Sequence, residues 1–133
     1  MGILNLTPDS FYDGGKYVDN DSALQHAAEM IAEGADIIDI GGMSSKSGAT
    51  IIPADVETLR VIPVIKAIHS AFPKALISID TIHASTAKAA VATGASIVND
   101  ISGGDYDKTM LSTVAKLGVP FIAMHMRGTP ETM

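Results

Sequence analysis

The fold is decided by residues 76–100, LISIDTIHASTAKAAVATGASIVND, which contain one strand–helix–strand unit. Leu76–Asp80 is a short apolar run rich in β-branched residues and predicts a buried strand. Thr81 is placed to cap a helix from about Ala84 to Thr93, and Ile97–Asn99 is the next apolar run. Because a helical crossover returns the chain to the same end of a sheet, the two strands are predicted to be parallel.

The same unit recurs on both sides of this stretch. Met1–Leu6, Asp36–Ile40 and Phe121–His125 are similar apolar runs, so the chain carries five predicted strands. Since they read as continuous rather than alternating, we predict a parallel sheet covered on both faces. Three further helical crossovers are predicted: Ala23 to about Glu33, Pro53 towards Ala71 with a kink or division at Pro63, and Asp107 or Thr109 through Leu117.

Two architectures accommodate this order of elements. An open doubly wound sheet would be complete at 133 residues, whereas a (β/α)8 barrel typically needs about 250 residues. Length alone favours the open sheet. The polar residues at the strand ends reverse that preference, and we predict an α/β fold that is part of a (β/α)8 barrel. It has five strands and four helical crossovers in a single domain over residues 1–133.

Composition limits the classes of function open to the chain. Apolar residues make up 47%, which supports a folded core, and 9 Lys and Arg against 15 Asp and Glu give a net charge of −6. This acidity argues against nucleic acid as the main partner. The absence of Cys excludes disulfides, zinc–thiolate and iron–sulfur sites and thiol catalysis. No apolar run is long enough to span a membrane and no signal segment opens the chain, so we expect a cytoplasmic protein.

A polar side chain stands at or near the end of every predicted strand. Each one alone is better explained as a cap for the following loop. The repetition favours a site, because the carboxyl ends of parallel strands open onto one mouth in α/β folds. The residues are Asn5, Asp39, Asp80, Asn99 (followed by Asp100) and His125.

The pair Asp80 and Asn99 suits a flat heterocycle with an amidine-like edge. The carboxylate accepts two hydrogen bonds, while the amide both donates and accepts. In an apolar cleft this pairing is selective, since a wrong ligand leaves polar groups unpaired. Asn5 offers an oxygen to a hard cation such as Mg²⁺, which commonly binds substrate phosphates as well. The serines lack a G-x-S-x-G elbow, so no nucleophile is predicted. His125 is the only histidine at a predicted strand end, and one histidine alone is no metal site.

Five segments match a known family, in order, along the whole chain. Residues 1–15, MGILNLTPDSFYDGG, resemble the first signature of the dihydropteroate synthase family. Related corrinoid-linked pterin methyltransferases share the pterin-binding barrel but do not usually carry this loop. The other segments resemble the motifs of the second to fifth strands: DIIDIGG at 36–42, IDT at 79–81, VNDIS at 98–102 and MHMRGTP at 124–130.

The resemblance implies an enzyme of folate biosynthesis built on a (β/α)8 barrel. The family condenses 6-hydroxymethyl-7,8-dihydropterin pyrophosphate with p-aminobenzoate, giving dihydropteroate and pyrophosphate with the help of Mg²⁺, and it is the target of sulfonamides. Its ligands are small molecules, and the full-length protein is expected to be a homodimer. Pyrophosphate leaves before the amine attacks, so no protein nucleophile is required.

The resemblance also assigns roles to individual residues. Asp80 and Asn99 correspond to the family's catalytic and pterin-binding pair, in agreement with the edge-pairing argument. Ile101 and Met124 correspond to apolar pterin contacts, and Asn5 to the asparagine on the side of the metal and pyrophosphate. Two loops, Thr7 to Gly15 and Gly41 to Gly48, correspond to loops that close over p-aminobenzoate. Their expected substrate contacts are Thr7, Pro8, Asp9, Ser10, Phe11, Ser45 and Lys46.

The chain departs from the family pattern in length. The family's later-strand lysine, its second pterin-contacting aspartate and its final Arg-x-His do not occur within the 133 residues. By the usual barrel length, about half of the barrel is present. We therefore expect the chain on its own to be a truncated, inactive part of the enzyme. The alternative is a pterin-binding half-barrel without catalysis.

The second loop also departs from the family's usual Gly-Gly-Glu-Ser-Thr-Arg-Pro-Gly, since residues 41–48 read GGMSSKSG. Lys46 keeps the charge of the arginine but not its planar fork, and Ser47 in place of proline loosens the loop. We predict altered affinity for p-aminobenzoate and sulfonamides. Lys46→Arg combined with Ser47→Pro in the full-length gene product should change the KM for p-aminobenzoate or the inhibition by sulfonamides. If neither changes, the hypothesis is wrong.

Overall fold

The main sheet is parallel and its strands lie side by side in the order in which the chain forms them. The computed structural model describes residues 2–6, 12–13, 17–18, 20–42 and 52–123. In chain order the elements are β1 (Gly2–Asn5), β2 (Tyr12–Asp13), β3 (Tyr17–Val18), α1 (Asn20–Ala32), β4 (Ile37–Gly41), α2 (Ala54–Ala71), β5 (Leu76–Asp80), α3 (Ala84–Thr93), β6 (Ile97–Asp100), α4 (Met110–Leu117) and β7 (Phe121–Ala123).

The strand order separates the two predicted architectures. Within the described ranges the order is β1-β4-β5-β6-β7, which advances by one position at every crossover and never reverses. A doubly wound sheet reverses direction at a switch point, so that alternative is wrong. Consecutive helices pack against one another, α1 on α2, α2 on α3 and α3 on α4. The helices thus form one layer outside the sheet, as in part of a (β/α)8 barrel.

The sheet has an apolar face towards the helices, and its polar residues lie on the other face together with Ile3, Ile97 and Ile122. Side chains alternate between these faces along each strand. The last apolar row is buried against the helices and consists of Leu4, Ile40, Ile79 and Val98. The row one step further towards the carboxyl ends, which we call the inner row, consists of Asn5, Gly41, Asp80, Asn99 and Ile122. The sequences of β4 and β5 alternate in polarity at Asp39 and Ser78, but both residues are buried, so these strands are buried on both faces as predicted.

Helix α2 runs without interruption through Pro63, so the predicted division is wrong. Val61, Ile65 and Ile68 form a fully buried stripe against the sheet. Pro63 lies on the exposed side, where water can satisfy the carbonyl that loses its hydrogen-bond partner. Burial of the stripe thus outweighs one missing backbone hydrogen bond. Neither this helix nor any other helix of the described ranges is long and apolar enough to cross a membrane.

The start of α3 is capped by a distant loop rather than by Thr81, contrary to the prediction. The residue before the helix is His83, which is extended and makes no side-chain cap hydrogen bond. The Ala84 N–H donates instead to Asp107 Oδ2 at 2.8 Å. This bond lowers the pKa of Asp107, as expected for a carboxylate that accepts from a helix N-terminus.

The connection between β1 and α1 contains a hairpin that the sequence reading missed. Strands β2 and β3 pair in antiparallel fashion, with Tyr12 opposite Val18 and Asp13 opposite Tyr17. We predicted only a glycine-containing loop, although Gly14-Gly15 between aromatic residues is also typical of a hairpin turn. Helix α1 then begins at Asn20, before the predicted Ala23.

Gly94 and Gly118 give a matched test of the packing around the helix ends. Both have positive φ, 146° and 69°. An added Cβ would lie 2.7 Å from His69 Cγ at Gly94, whereas nothing lies within 4 Å at Gly118. Gly118→Ala should lower the free energy of unfolding by about 1 kcal/mol, the cost of a left-handed alanine. Gly94→Ala should lower it by about 3 kcal/mol, because strain and overlap add. Urea denaturation measures both; equal losses would contradict the packing of α3 on α2.

Candidate active site

The inner row places Asp80 and Asn99 on adjacent strands at the same level. Asp80 of β5 is in register with Asn99 of β6 on one side and with Gly41 of β4 on the other. Gly41 is in register with Asn5 of β1. Three of the residues singled out at the predicted strand ends therefore share one row at the carboxyl edge of the sheet.

Asp39 does not share this row, although the sequence reading grouped it with the others. It stands two residues before Gly41, and its neighbours in the sheet are Ile3 and Ser78. Asp39 and Ser78 are buried. Hydrogen bonds from the side chains of Ser78 and Asn99 act to lower the pKa of Asp39, but burial outweighs them. Asp39 is thus part of a polar floor beneath the row.

Gly41 leaves space beside the carboxyl group of Asp80. A Cβ atom at this position would lie 3.3 Å from Asp80 Cβ and 3.5 Å from Asp80 Oδ2. Any larger side chain would press on the carboxyl group or cover it. The glycine therefore keeps open the part of the row between Asn5 and Asp80.

Asp80 is held in a state that favours a hydrogen-bond-donating ligand. Burial, followed by the negative charges of Asp39, Glu57 and Asp100, raises the pKa of Asp80 to about 7. Burial also raises the pKa of Asp39. A carboxyl group with this pKa carries a proton about half of the time at neutral pH, and donors that bind its ionised form stabilise that form.

Asn99 presents a second open hydrogen-bonding group next to Asp80. The residue is 8% exposed, and its Oδ1 has no partner among the described residues. Buried amide oxygens normally accept a hydrogen bond. An unpaired one beside a carboxyl group whose pKa is raised is therefore a site for a ligand or for ordered water.

Asp100 organises the loop that follows β6. Its Oδ1 accepts hydrogen bonds from the Ser102 N–H at 2.8 Å and the Ser102 hydroxyl at 2.7 Å. Its Oδ2 accepts from the Gly104 N–H at 3.1 Å. These bonds fix the turn that carries Ile101. An apolar cluster at this edge consists of Ile82 and Ile101, with Ile52 packed against them.

Several predicted site residues lie outside the described ranges. For Asn5, the structure describes the strand position only. In the described part of the chain, no group of three or more His, Asp or Glu side chains could hold a metal ion by itself. The predicted residues that fall outside are Thr7, Pro8, Asp9, Ser10, Phe11, Ser45, Lys46, Met124 and His125.

The sequence reading did not find Glu57, which is fully buried next to the site. Its place in the first turn of α2 is typical of an exposed acid near the positive end of a helix. A signal was present in the spacing. Residues 57, 61, 65 and 68 recur at helical intervals, so Glu57 continues the buried stripe of the helix.

Asp80→Asn should stabilise the fold at high pH. The folded-state pKa of Asp80 is raised from 3.8 to about 7, so the folded protein binds a proton that the unfolded chain has released. Stability is therefore lost as pH rises between these values, and asparagine removes that loss. In urea denaturation the free energy of unfolding of the variant should exceed that of the wild type at pH 8 and approach it at pH 4. The exposed Asp36→Asn is the control and should change stability little at either pH; a less stable Asp80→Asn at pH 8 would contradict the assignment.

The comparisons with known proteins identify the family and the fold of the chain. The family model described as pterin binding enzyme matches residues 1–133. The dihydropteroate synthase of Bacillus subtilis is 54% identical over 127 residues, which cover 96% of this chain and 44% of that protein. The dihydropteroate synthase of Clostridium difficile, solved in the presence of pteroic acid, superposes with a TM-score of 0.90 at 46% identity, over 96% of this chain and 48% of that one. The Yersinia pestis enzyme with a sulfonamide drug complex gives a TM-score of 0.87 at 43% identity, over 98% and 47%.

The chain spans less than half the length of the curated relatives named as dihydropteroate synthases that it matches. The family model, in contrast, matches every residue of it. The solved relatives share its parallel sheet and helices over nearly the whole chain. The chain therefore belongs to the family of pterin-binding enzymes.

Proposed function

We propose that this chain supplies the pterin-binding part of a dihydropteroate synthase. The reaction would join 6-hydroxymethyl-7,8-dihydropterin pyrophosphate and p-aminobenzoate, releasing pyrophosphate. The observation that carries the proposal is the register of Asp80 with Asn99, beside the space left by Gly41. The relatives named as dihydropteroate synthases support it.

Recognition of the pterin would depend on the edge of the ring. The Asp80 carboxylate would accept two hydrogen bonds, from the ring N–H and the amino group. The Asn99 amide would donate to and accept from the neighbouring positions, satisfying the unpaired Oδ1. Ile101 would pack on a face of the ring with Met124, which lies outside the described ranges.

The proposed reaction is a substitution at the pterin methylene carbon. The C–O bond to pyrophosphate breaks first, and its electron pair leaves with the pyrophosphate. The positive charge that develops on the methylene is shared with the ring. The ionised Asp80 carboxylate on the ring edge would stabilise this charge. The amine of p-aminobenzoate then supplies the electron pair of the new C–N bond and releases one proton to solvent.

Mg²⁺ fits this site as a cation shared with the substrate. Asn5 stands in the inner row next to Gly41, whose missing side chain leaves room beside Asp80. Mg²⁺ takes few protein ligands and completes its shell with phosphate oxygens and water, so one amide oxygen beside the pyrophosphate would be enough to hold it there. We propose Asn5 as the protein ligand; bound there, the ion would offset the charge of the leaving pyrophosphate.

The remaining assignments rest on the family resemblance. We propose that Thr7, Pro8, Asp9, Ser10, Phe11, Ser45 and Lys46 contact p-aminobenzoate, and that sulfonamides compete there. We also propose that the full-length protein is a cytoplasmic homodimer whose ligands are these small molecules.

The direct test is the formation of dihydropteroate by the full-length gene product from the two substrates with Mg²⁺. The wild type and the exposed variant Asp36→Asn should turn over, and Asp80→Asn should lose pterin binding and turnover. Pterin binding without any product in the wild type would indicate the non-catalytic pterin-binding alternative. A wild type that shows neither pterin binding nor product formation would overturn the proposal.

The pH dependence follows from the pKa of Asp80, about 7. The pterin edge binds the ionised carboxylate, so binding must expel a proton below this pH. The kcat/KM for the pterin substrate should fall by about tenfold for each pH unit below 7 and level off above it. Measurement of kcat/KM from pH 5.5 to 8.5 checks this. A profile that is flat across this range would contradict the binding of the pterin by a carboxyl group whose pKa is raised to about 7.

A further inference from the structure

Glu57 on α2 lies behind the inner row and outside the proposed pterin contacts. Resting on the proposed function, we infer that Glu57 is a positioning residue for Asp80, acting through Thr81 on one side and the Gly41–Gly42 turn on the other. It would set the pterin affinity without touching the pterin.

The first contact is with the residue that follows Asp80. Glu57 is fully buried, and its Oε1 accepts a hydrogen bond from the Thr81 hydroxyl. The Thr81 N–H donates to the Asn99 carbonyl at 3.0 Å, and the Thr81 hydroxyl oxygen accepts from the His83 N–H at 3.0 Å. Thr81 therefore joins the exits of β5 and β6, and Glu57 fixes its side chain.

The second contact is with the turn that follows β4. A Cβ atom at Gly42 would lie 3.2 Å from Glu57 Cγ, so the stem of the glutamate packs closely on this backbone. Arg60, one turn along the helix, donates from Nη1 to the Gly42 carbonyl at 2.8 Å. Gly41 in turn borders the Asp80 carboxyl group. One helix thus supports both sides of Asp80.

The chemistry of Glu57 is unusual for a residue that only fills space. An apolar side chain would continue the buried stripe of α2 without the cost of burying a carboxyl group. Burial raises the pKa of Glu57. Hydrogen bonds from the side chains of Thr81 and Thr86, and the charges of His83 and Arg60, act against this rise without cancelling it. A residue that breaks the local rule for a core position points to a functional requirement.

The decisive variants separate the hydrogen bond from the packing. Glu57→Leu fills the space but cannot accept from Thr81, and Thr81→Val cannot donate. In the full-length gene product at pH 8.5, where Asp80 is ionised in every variant, each should raise the KM for the pterin substrate by about tenfold and leave the KM for p-aminobenzoate unchanged. Glu57→Gln and Thr81→Ser keep the hydrogen bond and should restore the pterin KM to within about twofold of the wild type.

The double variant and a matched control complete the test. Glu57→Leu with Thr81→Val should be no worse than the poorer single variant, because both remove the same interaction. Glu33→Leu and Glu33→Gln, at an exposed position just after α1, should change neither KM.

Three results would overturn the inference. They are an unchanged pterin KM in Glu57→Leu, a parallel rise in both KM values, and additive effects in the double variant. If Glu57→Leu does not fold, the two Thr81 variants decide the test. The pterin KM should then rise in Thr81→Val and not in Thr81→Ser, while the KM for p-aminobenzoate stays unchanged in both. A wild type that makes no dihydropteroate would instead refute the proposed function, so the two failures are distinguishable.

Discussion

The candidate site depends on the parallel register that sets Asp80 beside Asn99. Because residues in register share a level and a face, the pairing of β5 with β6 places the carboxyl group and the amide next to each other. The pairing of β4 with β5 then puts a glycine, Gly41, on the other side of Asp80. A slip of one residue in either pairing would turn these groups towards the helices and bury apolar residues in the site.

The same register gathers acidic groups in a confined region. Asp39 lies beneath the inner row, and Glu57 and Asp100 lie behind it. The negative charges of all three residues raise the pKa of Asp80. Such a cluster weakens the fold at neutral pH, but it prepares Asp80 for a ligand that brings hydrogen-bond donors. Helix α2 and the loop that Asp100 holds are well packed and hydrogen-bonded. Their stability offsets the free energy that the acidic cluster takes from the fold.

Much of the fold could be predicted because it is encoded locally. Strand Leu76–Asp80 and helix Ala84–Thr93 have the predicted bounds, since apolar runs and glycine stops are short-range signals. The errors arose where distant groups decide. The cap of α3 comes from Asp107, the continuity of α2 through Pro63 comes from burial of its stripe, and strand pairing sets Asp39 below the inner row. Asp80 and Asn99 were predicted to be neighbours from their types and strand-end positions, and the pairing of β5 with β6 sets them side by side. The burial of Glu57 against Thr81 and Gly42, in contrast, is apparent only from the structure.

The most direct measurement is a carbon-13 NMR titration of the Asp80 carboxyl group in the full-length gene product, with and without the dihydropterin substrate. Our account predicts a pKa of about 7 in the free protein. It predicts a clear fall when the pterin is bound, because the ring edge donates to the ionised form. A carboxyl group that titrates in the ordinary range for aspartate, or one whose pKa the pterin does not change, would contradict the central role of Asp80.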